Sequence, residues 1–207
     1  MINKNSKIFV AGHKGMVGSA ILRKLKDLKY KKIFYQDRTQ LDLVNQRNVF
    51  NYLNKIKPDA VILAAAKVGG IKANNEKGAE FIFENLSIQN NVIDSSFKTG
   101  VKNLIFLGSS CVYPKNSKIP IKEDYLLSNY LEKTNKPYAV AKIAGISLCE
   151  SYNLQYGVNY KCLMPCNAYG VNDNYEPNTS HFLPALIRKI TEAIKTNKDF
   201  IKILGSG

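Results

Sequence analysis

Residues 7–18 read KIFVAGHKGMVG. The first five form a short apolar run, the right length for one buried strand. Glycines follow at positions 12, 15 and 18. Beyond them Ile21, Leu22, Leu25 and Leu28 recur at the spacing of one helix face. Strand, glycine turn and helix in direct succession let a pyrophosphate reach the free amides of a helix N-terminus, where the dipole favours an anion. Gly12, His13, Lys14, Gly15, Met16, Val17 and Gly18 are therefore the candidate phosphate loop. The spacing is GxxGxxG, one residue wider at its start than GxGxxG.

Working outward, apolar runs alternate with amphipathic stretches. Strands are expected at Lys7–Ala11, Lys32–Gln36, Ala60–Ala65, Asn103–Leu107, Asn159–Leu163 and Phe200–Leu204. Helices are expected at Val17–Lys29, Asn45–Lys55, Asn75–Lys98, Pro137–Tyr156 and Pro184–Lys195, with Pro137 in a first turn that tolerates it. Regular alternation implies an α/β fold: a doubly wound, Rossmann-like parallel sheet covered by helices on both faces. Ligands in such sheets bind beyond the carboxyl ends of the strands. Residues 115–136 are polar and read as a surface excursion. The expected organisation is a dinucleotide-binding domain over 1–170 and the start of a smaller substrate region over 171–207.

Bulk properties narrow the function. The chain has 207 residues, 45% of them hydrophobic, enough for one core. No apolar run approaches the roughly 20 residues of a membrane span, and the N-terminus lacks a signal-peptide pattern. A soluble, cytoplasmic protein is expected. The cysteines Cys111, Cys149, Cys162 and Cys166 form no CxxC pair, and His13 and His181 lie far apart, which disfavours a zinc site. Cys149 and Cys162 read as small core residues. The net charge is +14. Its lysines are scattered, without an arginine-rich stripe or stacking aromatics, so nucleic acid is not the expected partner. A basic surface also attracts phosphorylated small molecules.

The end of the second strand carries conflicting signals. Asp37 sits where an acid would hold the ribose 2′-hydroxyl of NAD. Arg38 follows it and, with Lys14, could clamp the 2′-phosphate of NADP. Two cations tilt the reading toward NADP. Asp42 and Leu43 are expected beside the adenine. Ala64, Ala65 and Ala66 supply small side chains where a cofactor would lie against the third strand. Tyr138 and Lys142 are four apart on one helix, hence neighbours on one face. An ammonium beside a phenol is expected to lower its pKa from about 10, so that the phenol exchanges a proton near neutrality. Gly108, Ser109 and Ser110 end the fourth strand, where a hydroxyl would bond a substrate oxygen.

AGHKGMVGSAI (11–21), AAAKVGGI (64–71), LGSSCVYP (107–114), PYAVAKIAGISLCESYN (137–153), MPCNAYG (164–170) and SHFLPALIRK (180–189) together resemble the extended short-chain dehydrogenase/reductase family. Within it they resemble the GDP-L-fucose synthases, over nearly the whole chain. The resemblance implies epimerisation at C3 and C5, then NADPH-dependent reduction at C4, of GDP-4-keto-6-deoxymannose. It implies Cys111 as base and His181 as acid of the epimerisation. Ser109 and Tyr138 would polarise the C4 oxygen, and Lys142 would support cofactor and phenol. It also implies that Ala65, Leu107, Gly108, Ser110, Pro165, Asn167, Ala168 and His181 line the NADP(H) site, with Arg38 on the 2′-phosphate. Lys189 and Asn167 would meet the nucleotide sugar, and Asn85 would support the site. A homodimer is implied through the helices at 75–98 and 137–156, with Ile88 and Val92 as candidate contacts.

In the family the segment at Leu204, Gly205, Ser206 and Gly207 continues into the rest of a sugar-nucleotide domain, so a truncated product or a fragment is expected. Two alternatives remain open: a nucleotide-sugar 4-epimerase or dehydratase using bound NAD, and a non-catalytic NADP(H)-binding module.

Overall fold

The computed structural model describes residues 2–177 and 179–203. In chain order the elements are β1 (Lys7–Ala11), α1 (Met16–Asp27), β2 (Lys32–Phe34), α2 (Gln46–Ile56), β3 (Ala60–Leu63), α3 (Ile71–Glu76), α4 (Gly78–Lys98), β4 (Asn103–Leu107), α5 (Lys136–Tyr156), β5 (Asn159–Leu163) and α6 (Phe182–Lys195). The five strands form one sheet in the order β2-β1-β3-β4-β5, and every pair is parallel. This is the doubly wound, Rossmann-like α/β arrangement expected from the alternation. The chain leaves β1 in one direction for β2 and later continues from β3 in the other. The crevice at that reversal, beyond β1 and β3, is where such sheets bind ligands.

Local chemistry sets the element ends. Asn45 caps α2 by accepting from the Asn48 N–H at 3.0 Å. α5 opens on Lys136 and Pro137 and stops at Gly157, whose φ of +65° suits a left-handed cap. The core lies between the sheet and the helix layer. It is built from Phe9, Val61, Leu63, Leu104, Phe106 and Tyr160 of the strands, Val49 and Leu53 of α2, Val92 and Ile93 of α4, and Ile146 and Cys149 of α5. α2, α4 and α5 touch in that order, with α4 against α5 as the broadest helix contact.

Four expectations need correction. The helix expected at Asn75–Lys98 is broken at Lys77 into α3 and α4. A Cβ on Gly78 would lie 3.0 Å from Pro137 Cγ, so the break seats the start of α4 against the start of α5. Val92 is fully buried in the core and cannot face a partner; Ile88 packs partly against the same core. No strand forms over residues 200–203, and Leu204, the last residue of the expected sixth strand, lies outside the described residues, as do Gly205, Ser206 and Gly207. The helical cover on the sheet's second face is incomplete. Right-handed crossovers put α1 on the face opposite α2, α4 and α5. α6 packs extensively against no strand. Ile62 and Ile105 are only half-buried on that face, and Leu163 is 51% exposed.

Residues 115–135 run over the surface through short 3₁₀ turns at Glu123–Tyr125 and Lys133–Asn135. Among the described residues no helix is long and apolar enough to cross a membrane.

Candidate active site

The glycines of the first loop serve different ends. Gly12 has φ +89°, and a Cβ there would fall 2.5 Å from the Ala65 nitrogen, so the loop lies directly on the end of β3. A Cβ on Gly18 would lie 2.0 Å from the Gly12 carbonyl oxygen; α1 can pack under the loop only without it. Gly15 is otherwise. Its φ is −69°, and a Cβ would meet only the Gly12 oxygen, at 3.5 Å, an ordinary contact. The fold does not need glycine there, but an incoming group would. Gly15 caps α1 without a side-chain hydrogen bond, and the first turn, from Met16 and Val17, has no acid. Its first-turn amides thus have no side-chain cap, and the cradle at this helix N-terminus suits a pyrophosphate.

Charges gather beside this loop at the end of β2. Asp37 lies 2.9 Å from Lys14 Nζ and 3.3 Å from His13 Nε2, and the His13 ring packs against Tyr35. Arg38 reaches Glu84 of α4 at 3.5 Å and Asp42 at 4.0 Å. Asn91 of α4 donates to the carbonyls of Leu43 and Val44 at 2.9 Å, tying down the stretch expected beside the adenine. The residues present fit a dinucleotide: a glycine cradle at a helix N-terminus, with cations at the neighbouring strand end.

The second half of the site sits at the carboxyl end of β4. Gly108 N–H donates to the Leu163 carbonyl at 2.8 Å, and Ser110 N–H to the Pro165 carbonyl at 3.2 Å. The loops after β4 and β5 are thereby zipped side by side. A 3₁₀ turn over Ser110–Val112 follows, and Ser109 Oγ accepts from the Cys111 N–H at 3.4 Å. Cys111 is half-buried. Burial pushes its thiol up; the Ser109 hydroxyl and the Lys142 ammonium act against that.

α5 brings Tyr138 and Lys142 over this turn. Lys142 is 3% exposed, and its Nζ donates to the Leu107 carbonyl at 2.7 Å. The same ammonium stands over the Phe106 ring, 4.7 Å from its centroid, and 5.6 Å from the Tyr138 centroid. Burial pushes Lys142 down to about 8, partly opposed by Cys111. Tyr138 departs from expectation. Its phenol is held well above its ordinary value, first by burial and then by the nearby Cys111 thiol. The ammonium is committed to the Leu107 carbonyl and the ring faces, so desolvation wins. Tyr138 stays a protonated phenol at neutral pH.

The remaining expected residues are less converged. His181 caps α6 and is exposed. It is anchored through its neighbours: Gly70 N–H donates to the Thr179 carbonyl at 2.9 Å, and a Cβ on Gly70 would meet the Ser180 oxygen at 2.6 Å. Among the described residues His181 makes no hydrogen bond or ion pair with Cys111 or Tyr138. Pro165, Asn167 and Ala168 are exposed on the loop after β5. Lys189 Nζ donates to the Lys202 carbonyl at 2.6 Å, an attachment within the C-terminal segment. Surface cavities of about 470 and 630 Å³ lie around Ile190–Ile201 and Asp173–Arg188, away from the glycine loop.

Asn85 is 2% exposed and fully engaged. It donates to the carbonyls of Lys67 (3.0 Å) and Phe81 (2.7 Å) and accepts from the Lys67 N–H (2.9 Å), clamping the loop after β3. Sequence reading overlooked several supports of this kind. Gln89 donates to the Ala141 carbonyl at 2.6 Å and pins α5. Asn74 holds the Gly69 carbonyl at 2.7 Å. Lys67 pairs with Glu80 and Glu84. A signal was present: Phe81, Asn85, Gln89 and Val92 share one inward helix face, and amides inside an apolar stripe must bond something.

Known proteins are similar to most of this chain. A GDP-L-fucose synthase of Sinorhizobium fredii is 53% identical over 201 residues, 97% of this chain and 64% of that protein. One from Escherichia coli is 49% identical over 201 residues, 97% of this chain and 63% of that protein. The chain thus spans somewhat under two thirds of the length of these relatives. A solved GDP-L-fucose synthetase from Naegleria fowleri bound to NADP superposes with a TM-score of 0.89 at 29% identity, covering 100% of this chain and 68% of that one. The family model for NAD dependent epimerases and dehydratases matches residues 8–207, from β1 through all the site residues above. A glycine cradle under β3, joined to a Tyr138 and Lys142 pair over the end of β4, is therefore no chance assembly: the chain belongs to the NAD dependent epimerase/dehydratase family.

Proposed function

We propose that this chain carries the cofactor-binding and catalytic part of a GDP-L-fucose synthase, epimerising C3 and C5 and reducing C4 of GDP-4-keto-6-deoxymannose with NADPH. One observation carries the reading: Cys111, Tyr138 and Lys142 sit within electrostatic reach of one another at the end of β4. A plain reductase or 4-epimerase of this family needs the phenol and the lysine; a thiol in the same spot gives a base that such chemistry does not use. The relatives' activity and the NADP in the similar solved structure support the same substrate and cofactor.

The Gly12–Gly18 loop would hold the pyrophosphate, Lys14 and Arg38 the 2′-phosphate, and Asp42, Leu43 and Ala65 the adenosine side. Leu107, Gly108, Ser110, Pro165, Asn167 and Ala168 would line the nicotinamide end. Bound NADPH supplies the hydride for C4. Cys111 takes the proton α to the C4 carbonyl as its thiolate, a state that the Ser109 hydroxyl and the Lys142 ammonium favour against the burial that raises the thiol, and negative charge moves onto the C4 oxygen. Ser109 and Tyr138 hydroxyls bond that oxygen. His181 returns a proton from the opposite face, which inverts the carbon. In the reduction Tyr138 gives its proton to the C4 oxygen, which as an alkoxide is far more basic than the phenolate left behind, and Lys142 compensates that phenolate. Lys189 and Asn167 are assigned to the nucleotide sugar. Residues 1–170 are read as the dinucleotide domain and 171–207 as the beginning of the substrate region. A homodimer through α4 and α5 and a reducing, cytoplasmic setting for the free cysteines complete the proposal.

The test mixes protein, GDP-4-keto-6-deoxymannose and NADPH and follows nicotinamide absorbance. Oxidation is expected. In deuterated solvent the parent chain should label the sugar at C3 and C5, and Cys111→Ser should lose that label. Labelling that persists in the variant would remove Cys111 from the mechanism.

A further inference from the structure

The cations at the end of β2 are not free. Lys14 lies 2.9 Å from Asp37 Oδ2, and His13 Nε2 lies 3.3 Å from Asp37 Oδ1. Arg38 Nη2 lies 3.5 Å from Glu84 Oε2 and its Nε 4.0 Å from Asp42 Oδ1. Glu84 is only 20% exposed and also pairs with Lys67. Each cation that a ribose 2′-phosphate would use therefore already has a carboxylate of the chain beside it.

A phosphate monoester carries a charge of about −1.5 to −2 near neutrality. To reach Lys14 and Arg38 it must displace Asp37 and Glu84 or lie next to them. Either way the cations exchange one anion for another, and like charges crowd. A 2′-hydroxyl meets the opposite situation. It donates a hydrogen bond, and Asp37, with lone pairs beyond those facing Lys14 and His13, accepts one. The same carboxylate thus helps one dinucleotide and hinders the other.

We propose that Asp37 and Glu84 are specificity-determining residues: resident counter-ions of Lys14 and Arg38 that narrow the preference for NADPH over NADH, so that the site takes both. The inference rests on the dinucleotide site described under the proposed function. The two residues act differently. Asp37 touches the ribose position itself. Glu84 acts only through Arg38, which makes it a positioning residue. Lys67 keeps its 2.7 Å pair with Glu80 when Glu84 is neutralised, so the loop after β3 remains held.

The test measures dissociation constants of NADPH and of NADH for the whole 207-residue chain by quenching of nicotinamide fluorescence. The parent chain should bind both, with constants within about tenfold of each other. Asp37→Asn should tighten NADPH about fivefold, the worth of one exposed charge pair, and weaken NADH. Glu84→Gln should tighten NADPH by a few-fold and leave NADH unchanged, a split that a merely structural role would not produce. Asp37→Ser, smaller and equally uncharged, should move the ratio the same way and serves if the asparagine variant folds poorly. A parent chain preferring NADPH more than about a hundredfold, or a ratio unmoved in these variants, overturns the proposal while leaving the dinucleotide site intact. Failure of both dinucleotides to bind the folded parent chain overturns that site and this inference together.

Discussion

Lys142 shows how one buried side chain is set by its surroundings. It is 3% exposed, its ammonium bonds one carbonyl and two ring faces, and burial pushes its pKa down from 10.5 to about 8. A base whose folded pKa lies below its unfolded value costs stability wherever both states are protonated. Below pH 8 that cost is fully present. Between about 8 and 10.5 the unfolded chain binds the extra proton, so this group's contribution improves as pH rises. Lys142→Met should therefore be at least as stable as the parent at pH 7, by about 1–2 kcal/mol after the lost Leu107 bond is offset. The advantage should shrink as pH climbs from 8 toward 10, while reduction is abolished. Denaturant titrations at several pH values check this; a variant less stable at pH 7 would mean the ammonium is better solvated than its burial implies. The sequence pointed to this pair by its spacing. It could not tell that desolvation would raise Tyr138 rather than the lysine lower it, because the surrounding dielectric comes from Phe106, the β4 loop and α5 together.

At the scale of elements, α4 organises the site from beneath. One inward face presents Asn85 to the loop after β3, Gln89 to α5, and Val92 and Ile93 to the core. A neighbouring position sends Asn91 to the loop after β2. Asn85 makes every bond its amide usefully can, so Asn85→Ala leaves the Lys67 amide and carbonyl without their partner. The expected loss is about 2–3 kcal/mol, read from the denaturation midpoint, together with weaker dinucleotide binding because the loop over β3 loosens. A loss under about 0.5 kcal/mol would show that solvent replaces the amide freely. Most elements were legible: β4 and β5 match the expected bounds, and β1 likewise, because isolated apolar runs between turn residues admit few alternatives. The break at Lys77 was not legible. Gly78 and the two asparagines before it weaken the helix locally, but a lone glycine is tolerated inside many helices, and the seating of Gly78 on Pro137 is a tertiary contact that no local spacing shows.

Across the whole molecule the two faces of the sheet are unequal. α2, α4 and α5 seal one. On the other, α1 covers the β1 end, while α6 stands apart with Phe182 65%, Ile187 42%, Ile190 43% and Ile194 72% exposed, followed by Phe200 at 84%. So much apolar surface in one region should bind a hydrophobic dye. The native 207-residue chain should enhance anilinonaphthalene sulfonate fluorescence, and Ile187→Glu with Ile194→Glu should remove most of that enhancement without altering the circular dichroism. No enhancement from the parent chain would show that the stripe is covered in solution. Local pattern was enough to determine the strand–loop–helix order, the phosphate loop and the Tyr138–Lys142 pair, since each depends on residues within a few positions of one another and on fixed periodicities. Only the tertiary structure decided that Asp37 and Glu84 neutralise Lys14 and Arg38, that Val92 is core rather than surface, and that α6 leaves the sheet uncovered, because burial and charge pairing join segments far apart in the chain and no local spacing encodes them.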